Sequence, residues 1–249
     1  MQLLKTYINP DYSELSNFIL GIPSMSPSEG TPIHIGRNEV RIVEIDGIKL
    51  VIKYFKRITL ANRFIYAHFR KSKAQRSYDY SWILRQKGFS SPEPVAYIDC
   101  RNRGILTKSY YICLYSDYRP VKDLLGLPLA EAQAPLEAFA RFTYKLHKSG
   151  IFHEDYSTSN VLYQQYGGDY DFSLIDNNRI RFCKYGHLRS ISNLMKRQAI
   201  PVEYMGIIAA EYAKEANSNG LDILNYMIIF KMLFIKEKSI MAVLQSYKK

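Results

Sequence analysis

Two carboxylates and a carboxamide are spaced in this chain as phosphoryl transfer requires. Residues 150–160 contain the pattern H-x-D-x-x-x-x-N, formed by His153, Asp155 and Asn160. A second acidic residue, Asp176, ends an apolar run sixteen residues after Asn160. Transfer of a γ-phosphoryl group needs one carboxylate beside the acceptor hydroxyl and further oxygen ligands that hold Mg²⁺ on the triphosphate. The spacing therefore predicts Asp155 as the catalytic base, and Asn160 and Asp176 as the metal ligands.

Each fragment also has an ordinary structural explanation when it is taken alone. An H-x-D string is common in surface loops, Asn160 could form a turn, and Asp176 could simply end a strand. The combination is more specific, because a strand lysine lies about a hundred residues upstream, as the kinase signature set predicts. That lysine is Lys53, which follows Val51-Ile52. The alternative is an exposed strand lysine such as Lys49.

The residues around Lys53 predict three antiparallel strands over 33–55 with a hairpin at Asp46-Gly47. In the kinase signature this lysine meets the α- and β-phosphates of the nucleotide. The loop between the first two strands has one glycine, Gly36, where a G-x-G-x-x-G phosphate cover has three, so Arg37 is expected to contribute more. The helix that follows contains Asp79 as its acid. We therefore expect Asp79 to pair with Lys53.

Hydrophobic periodicity and turn residues predict the remaining elements. Residues 1–30 are expected to be irregular around one short helix near 12–20. Further predictions are helices over 58–70 and 71–87, strands over 94–99 and 109–115, and a long helix over 129–148.

Composition indicates a folded chain of a reducing compartment. The 249 residues are 47% hydrophobic, with 21 tyrosines and 12 phenylalanines. Cys100, Cys113 and Cys183 form no C-x-x-C pair and are expected to be thiols. The N-terminal residues lack the apolar region of a signal peptide, so the sequence favours the cytoplasm. The apolar segment 223–235 is too short to span a membrane and is expected to be a buried helix, with an interfacial membrane helix as the alternative.

The formal net charge of +11 is unevenly distributed. Residues 53–76 contain eight lysines and arginines and no acid, with aromatic and aliphatic residues between them. Such a segment could be a solvated face, a contact with nucleic acid phosphates, or a contact with an anionic membrane. The charge alone does not choose between these options.

Several strings in the chain resemble the lipopolysaccharide core kinase family, which includes the kinases of 3-deoxy-D-manno-octulosonic acid (Kdo) and of heptose. They are G-I-F-H-E-D-Y-S-T-S-N-V-L at 150–162, L-I-D-x-N-R at 174–179, Leu50-Val51-Ile52-Lys53, and the stretch 70–78 leading to Gly88 and Pro92-x-Pro94. The resemblance extends from about residue 30 to residue 185.

This resemblance implies an α+β, protein-kinase-like bilobal fold, with an N-terminal lobe over 1–117 and a C-terminal lobe over 118–249 that carries the catalytic loop and metal site. It implies ATP and Mg²⁺ as cosubstrates and a lipid-linked or small sugar as acceptor. It also favours an anionic membrane over nucleic acid as the contact of residues 56–76, which suggests peripheral binding at the inner face of the inner membrane.

Two departures keep other functions open. Asn177-Asn178 follow Asp176 where protein kinases have Phe-Gly, and no A-P-E string follows. A protein kinase that autophosphorylates on tyrosine is one alternative, and a kinase-like scaffold without catalytic activity is another. An aminoglycoside phosphotransferase shares the H-x-D-x-x-x-x-N pattern, but its cationic substrates suit an acidic protein better than this basic one.

Overall fold

The computed structural model describes residues 2–26, 29–56, 58–195 and 200–246, and the chain divides into two compact units. The first unit contains Met1–Asp117 together with Asp176–Asn178. The second contains Tyr118–Ile175 and Arg179–Lys249. The sequence-based division assigned Asp176 to the C-terminal part, whereas the structure groups this residue with the first unit.

The first unit is built on one antiparallel sheet of six strands. Strands β3 (Glu39–Ile45) and β4 (Ile48–Tyr54) form the predicted hairpin, in which Asp46 and Gly47 have φ angles of 50° and 77°. Positive φ at both central positions is what a type I′ turn requires. The other strands are β1 (Gln2–Ile8), β2 (Thr31–Ile35), β5 (Pro94–Asn102) and β6 (Ile105–Leu114), in the order β1-β5-β6-β4-β3-β2.

The N-terminal segment is more regular than predicted. Strand β1 lies at one edge of the sheet and pairs antiparallel with β5, with Tyr7 opposite Tyr97. A 3-10 helix (Pro10–Leu15), α1 (Ser16–Gly21) and a second 3-10 turn (Ile22–Ser24) follow, as the expected short helix. The prediction missed β1 because its partner strand is distant in sequence, and strand preference depends on such neighbours more than on local propensity.

Side chains alternate between the two faces of the sheet. One face is covered by the N-terminal helical segment, which packs Leu15 and Ile19 against Leu50 and Ile52 of β4. The other face is covered by α3 (Lys73–Gln86), and Val51 packs against its buried cluster. That cluster contains Phe55, Ala74, Tyr78, Tyr97, Tyr111 and Cys113. Because Lys53 is two residues from Val51, it lies on the α3 face of the sheet.

Both predicted helices of the first unit are confirmed. The first, α2 (Leu60–His68), begins after Thr59, whose hydroxyl accepts a hydrogen bond from the backbone N–H of Asn62. Ser72 caps α3 in the same way, and the chain leaves α3 through Gly88, whose φ is 77°. Side-chain caps and a left-handed glycine are the usual signals of helix ends.

The second unit combines helices with short strands. The predicted long helix is confirmed as α4 (Leu129–Lys148), and it is followed by α5 (His187–Met195), α6 (Val202–Ala216) and α7 (Gly220–Ser246). Two small sheets are present in the described residues, with strand orders β10-β9-β7 and β11-β8. Their strands are β7 (Arg119–Pro120), β8 (Ile151–His153), β9 (Val161–Tyr166), β10 (Asp169–Leu174) and β11 (Ile180–Phe182).

The prediction of a buried helix over 223–235 is only half right. Ile223 and Met227 are fully buried, but Ile229, Met232 and Leu233 are 50%, 65% and 56% exposed. Helices α5 and α6 pack against one side of α7 and leave its opposite side in solvent. Among the described residues, no helix combines the length and apolarity needed to cross a bilayer.

Candidate active site

The segment 150–160 begins where α4 ends. Gly150 has a φ of 73°, and a Cβ at this position would lie 2.4 Å from the carbonyl oxygen of Cys183, so only glycine fits without displacing the backbone. Strand β8 then pairs with β11 and places His153 opposite Ile180. The turn that follows is held by hydrogen bonds from the N–H of Tyr156 to the His153 carbonyl (2.9 Å) and from the N–H of Asn160 to the Ser157 carbonyl (2.9 Å).

His153 supports this loop from beneath. Its side chain is fully buried, and its Nδ1 accepts a hydrogen bond from the backbone N–H of Asp155 at 3.1 Å. Because Nδ1 is the acceptor, the proton lies on Nε2, which donates to the carbonyl oxygen of Ile175 at 3.1 Å. Both ring nitrogens therefore form hydrogen bonds with backbone groups. The His153 side chain supports the loop through these hydrogen bonds to the backbone.

Asp155 keeps its carboxylate partly in solvent, with the side chain 27% exposed. Arg179 approaches it, with 3.7 Å between Nη1 and Oδ2, which is longer than a direct hydrogen bond. The backbone N–H of Glu154 donates to the carbonyl of Arg179 at 3.1 Å, so the arginine is fixed relative to the loop. Arg179 ends the L-I-D-x-N-R string, but its place in that string alone predicted no role for it.

Asn160 is oriented by its own loop. Its Nδ2 donates to the backbone carbonyl of Asp155 at 2.9 Å, and its backbone carbonyl accepts from the N–H of Ile175 at 3.0 Å. Since the amide nitrogen is used as the donor, Oδ1 is the side-chain atom that could bind a cation. This arrangement fits the predicted role of Asn160 as a metal ligand.

In the first unit, Lys53 and Asp176 meet directly. Strand β4 lies between β3 and β6 and places Lys53 opposite Val40 and Tyr111, and its Nζ is 2.6 Å from Oδ1 of Asp176. The two side chains are 14% and 28% exposed, so the pair is well shielded but reachable. The structure thus brings together two residues that the sequence analysis selected 123 positions apart.

The prediction that Asp79 pairs with Lys53 is wrong. Asp79 pairs with Lys71, at 2.7 Å between Nζ and Oδ2. The reason is its position around α3: Ser77 is buried, and a residue two positions later is rotated by about 200° in a helix of 3.6 residues per turn. Asp79 therefore lies on the wrong side of α3 to reach Lys53, and Asp176 provides the carboxylate instead.

The turn that carries Asp176 is attached to α3 by hydrogen bonds that the sequence analysis did not foresee. Asn177 is buried, and its Nδ2 lies 3.0 Å from Oγ of Ser81 and 2.8 Å from Oγ of Ser91. Nε of the buried Arg76 donates to the carbonyl of Asn178 at 3.0 Å. The sequence contained one signal for these hydrogen bonds: two polar residues, Asn177 and Asn178, follow Asp176 where protein kinases have Phe-Gly.

Asp176 itself has a φ of 60°, in the left-handed region that aspartate tolerates better than most residues. Nδ2 of Asn178 donates to its Oδ1, the same oxygen that contacts Lys53. One oxygen of the Asp176 carboxylate therefore receives both the ammonium group of Lys53 and the side-chain amide of Asn178.

Gly36 and Arg37 lie in an exposed bend between β2 and β3. The backbone N–H of Gly36 donates to the carbonyl of Asn38 at 2.9 Å, which closes the bend. Their predicted contact with nucleotide phosphates stays a prediction.

The candidate ligands suit a cation that is bound partly by the protein and partly by phosphate oxygens. In the described part of the chain, no three His, Cys, Asp or Glu side chains converge in a way that could hold a metal ion. Magnesium commonly takes one or two protein oxygens and completes its octahedron with substrate phosphates and water. Asp176 of the first unit and Asn160 of the second unit each offer an oxygen of the kind that Mg²⁺ binds, and their joint binding of the ion stays a prediction.

Comparisons with known proteins identify the fold. No protein-family model matches the chain, and a search of curated proteins found no match. Among solved structures, WaaP in complex with acyl carrier protein is similar, with a TM-score of 0.62 and 14% identity over 94% of this chain and 97% of that chain. The Rio2 kinase-ADP/Mg²⁺-phosphoaspartate complex from Chaetomium thermophilum has a TM-score of 0.47 and 16% identity over 92% of this chain and 77% of that one. The WaaP match shows that the chain has the predicted α+β, protein-kinase-like fold.

Proposed function

We propose that this protein is an ATP- and Mg²⁺-dependent kinase that phosphorylates a sugar hydroxyl of the lipopolysaccharide core, on Kdo or heptose. The observation that supports it most is the 2.6 Å pair between Lys53 and Asp176 in the first unit. A strand lysine and a carboxylate after a β-run are the nucleotide and metal groups of the kinase signature. The two side chains are 14% and 28% exposed, so their pairing differs from a chance ion pair at an exposed surface.

Each residue then has a defined task. Asp155 would accept or orient the proton of the acceptor hydroxyl, and Lys53 would contact the nucleotide phosphates. Asn160 and Asp176 would hold Mg²⁺, which supplies charge neutralisation on the phosphates when it is bound. Gly36 and Arg37 would contribute to phosphate binding from the β2–β3 bend.

The choice of a sugar acceptor depends on the sequence resemblance, which includes the catalytic loop and the L-I-D-x-N-R string. The acceptor would be a lipid-linked or small sugar. Such a substrate would be met at the inner face of the inner membrane, which agrees with a cytoplasmic protein that binds the membrane peripherally.

Two observations favour a different candidate, a kinase-like scaffold without catalytic activity. The β2–β3 bend has a single glycine, and the acid of α3 pairs with Lys71 and leaves Lys53 to Asp176. A protein that binds nucleotide without turnover could tolerate both features. The intact set of Asp155, Asn160, Asp176 and Lys53 supports the enzyme more strongly, because a scaffold has no need of a base.

Purified protein incubated with labelled ATP, Mg²⁺ and Kdo- or heptose-containing core acceptors tests the proposal. We expect label in the acceptor with the wild-type protein and none with Asp155→Asn. Label that appears in the protein or in added polypeptides but not in the sugar would support the protein kinase alternative. Nucleotide binding without any transfer would support the scaffold. Mass spectrometry of the lipid A-core from cells with and without the protein then identifies the phosphorylated sugar.

A further inference from the structure

Helix α2 of the first unit presents a row of large apolar side chains to solvent. Leu60, Phe64 and Phe69 are 81%, 53% and 78% exposed, and Ile65 is 39% exposed. The helix is anchored on its other side, where Tyr66 packs in a small buried cluster with Ile58 and Leu106. The exposed row is therefore the outer side of a fixed helix.

Neighbouring aromatic rings make this row continuous. The Phe64 ring centroid is 4.8 Å from that of His68 and 5.9 Å from that of Phe69. The β5–β6 turn lies beside it, because a Cβ built on Gly104 would be 3.7 Å from Nε2 of His68. That turn adds Ile105, which is 41% exposed. We call Leu60, Phe64, Ile65, Phe69 and Ile105 the apolar patch.

Basic residues border the apolar patch. Arg70 follows Phe69 directly, and Arg103 lies in the β5–β6 turn; both are exposed. Lys71 is 59% exposed and pairs with Asp79. Other basic residues of the segment 53–76 have tasks within the unit: Nε of Arg63 donates to the carbonyl of Ile58, and Arg76 holds the 176–178 turn. Arg57 lies outside the described residues.

We propose that the apolar patch and its basic border bind the surface of an anionic lipid bilayer. Apolar and aromatic side chains of an interfacial helix enter the boundary between headgroups and acyl chains, while nearby lysines and arginines attract anionic headgroups. Within the segment 53–76, the exposed phenylalanines and Arg70 would contact the bilayer. Arg63 would not, because its side chain is hydrogen-bonded to the carbonyl of Ile58.

Two other partners fit this surface less well. Nucleic acid binding uses basic residues on phosphates and has no need of a row of solvent-exposed aliphatic side chains on a helix. In a symmetric dimer the same patch would face its own copy, so Arg70 and Arg103 of both copies would be brought together with like charges opposed. An anionic bilayer satisfies the apolar and the basic groups together.

Sedimentation of the full-length protein with phosphatidylglycerol-containing vesicles and with neutral phosphatidylcholine vesicles tests the proposal. We expect binding to the anionic vesicles, weakened several-fold at high salt since the Debye length shortens. The double variant Phe64→Ser/Phe69→Ser should bind on the order of tenfold more weakly. The two phenylalanine side chains move from water into the bilayer when the protein binds, and serine lacks the free energy gained by that transfer. Arg70→Gln/Arg103→Gln should reduce the salt dependence.

The matched control is Ile229→Ser/Leu233→Ser on α7, which removes exposed apolar side chains elsewhere and should leave vesicle binding unchanged. Circular dichroism establishes that each variant is folded. The proposal is overturned by failure of the wild-type protein to bind anionic vesicles, by unchanged binding of the Phe64/Phe69 variant, or by loss of binding in the α7 control alone. A self-association that the Phe64/Phe69 variant abolishes, or preferential binding of RNA or DNA, would also overturn it. The measurement uses no nucleotide, so its failure leaves the proposed kinase activity untouched.

Discussion

Asp155 and Asp176 are two carboxylates with different surroundings, and we expect their removal to have different consequences. Asp155→Asn should lower phosphoryl transfer by roughly 10²–10⁴-fold, the usual contribution of a positioned base, without affecting nucleotide binding. Asp176→Asn should abolish transfer and also weaken Mg²⁺-dependent nucleotide binding, since it removes a proposed ligand. Steady-state kinetics with a nucleotide titration distinguishes the two variants.

The fold should survive both changes, because neither carboxylate is fully buried. Normal turnover in purified Asp155→Asn protein would remove this residue from its assigned role. Equal nucleotide affinity in the two variants at all Mg²⁺ concentrations would contradict the assignment of Asp176 as a metal ligand.

Lys53 and Lys49 lie on the same strand and provide an internal comparison. Loss of a charge-assisted contact to phosphate costs on the order of 1.5–3 kcal/mol, so Lys53→Ala should weaken nucleotide binding by roughly 10- to 150-fold. Lys49 is exposed at the opposite end of β4, and Lys49→Ala should have little effect. Isothermal titration with ATP and Mg²⁺ measures both; a larger loss in the Lys49 variant would show that the wrong strand lysine was chosen.

At the scale of elements, Asn177 connects the turn after β10 to α3 in the first unit. Asn177→Leu keeps the number and branching of the side-chain heavy atoms but removes the hydrogen bonds to Ser81 and Ser91. We expect a loss of roughly 2 kcal/mol in the free energy of unfolding, together with weaker nucleotide binding through the adjacent Asp176. Urea unfolding and a nucleotide titration measure the two effects.

Ser91→Ala is the matched control for this change, because it removes one of the two acceptors and keeps Asn177. It should cost less stability than Asn177→Leu. An unchanged urea midpoint in the leucine variant would mean that the turn is held in place without Asn177.

In the second unit, His147 links several helices to the loop that follows β8. Its Nδ1 accepts from the Tyr212 hydroxyl at 3.0 Å, and its Nε2 donates to Oδ1 of Asn193 at 3.1 Å. Nδ2 of Asn193 in turn donates to the carbonyl of His153 at 2.9 Å. The chain of hydrogen bonds therefore connects α4, α5 and α6 with β8.

Burial lowers the pKa of His147 from 6.5 to about 4. Between these values the unfolded chain binds the proton and the folded chain does not, so the free energy of unfolding falls as the pH falls. The neutral His147 makes its full contribution to the free energy of unfolding above pH 6.5. By pH 4 that free energy is lowered by roughly 3 kcal/mol. Glu39 and Glu211, whose pKa values are lowered by basic neighbours, add to acid destabilisation only below about 4.5.

Urea unfolding at a series of pH values between 7 and 4.5 therefore tests the contribution of His147. We expect His147→Gln to flatten the decline, while His34→Gln, at an exposed position of β2, leaves it unchanged. The same slope in wild type and His147→Gln would assign the acid sensitivity to other groups.

For the whole molecule, the sequence was most informative where function requires a fixed spacing. Asp155, Asn160, Asp176 and Lys53 were selected from motifs as candidate site residues, and the structure brings Lys53 and Asp176 together. The hairpin at Asp46-Gly47 was predicted from its turn residues. The partner of Lys53 was not predictable, because it depends on the rotation of α3 and on a left-handed residue at the end of a distant strand. A one-residue uncertainty in helix register changes the direction of a side chain by about 100°.

Exposure was the other property that the sequence did not determine. Helix α7 is apolar on all sides, which normally indicates burial. Whether its second side is covered depends on which elements pack beside it, and α5 and α6 cover one side. Likewise, the composition of segment 53–76 showed its charge, but only the packing of Tyr66 showed which side of α2 faces solvent.

Strand β2 lies at an edge of the six-stranded sheet, and all five of its residues, including Ile33 and Ile35, are exposed. Such an edge could act as a template for a strand from another molecule and so begin aggregation. Pro32 has no N–H to offer an incoming strand, and the pairing register shifts between Pro32 and His34. A proline and a bulge are the devices by which natural sheets prevent intermolecular β-pairing. Protection of this isoleucine-bearing edge against aggregation therefore depends on one proline and one register shift, in a strand with no assigned role in catalysis.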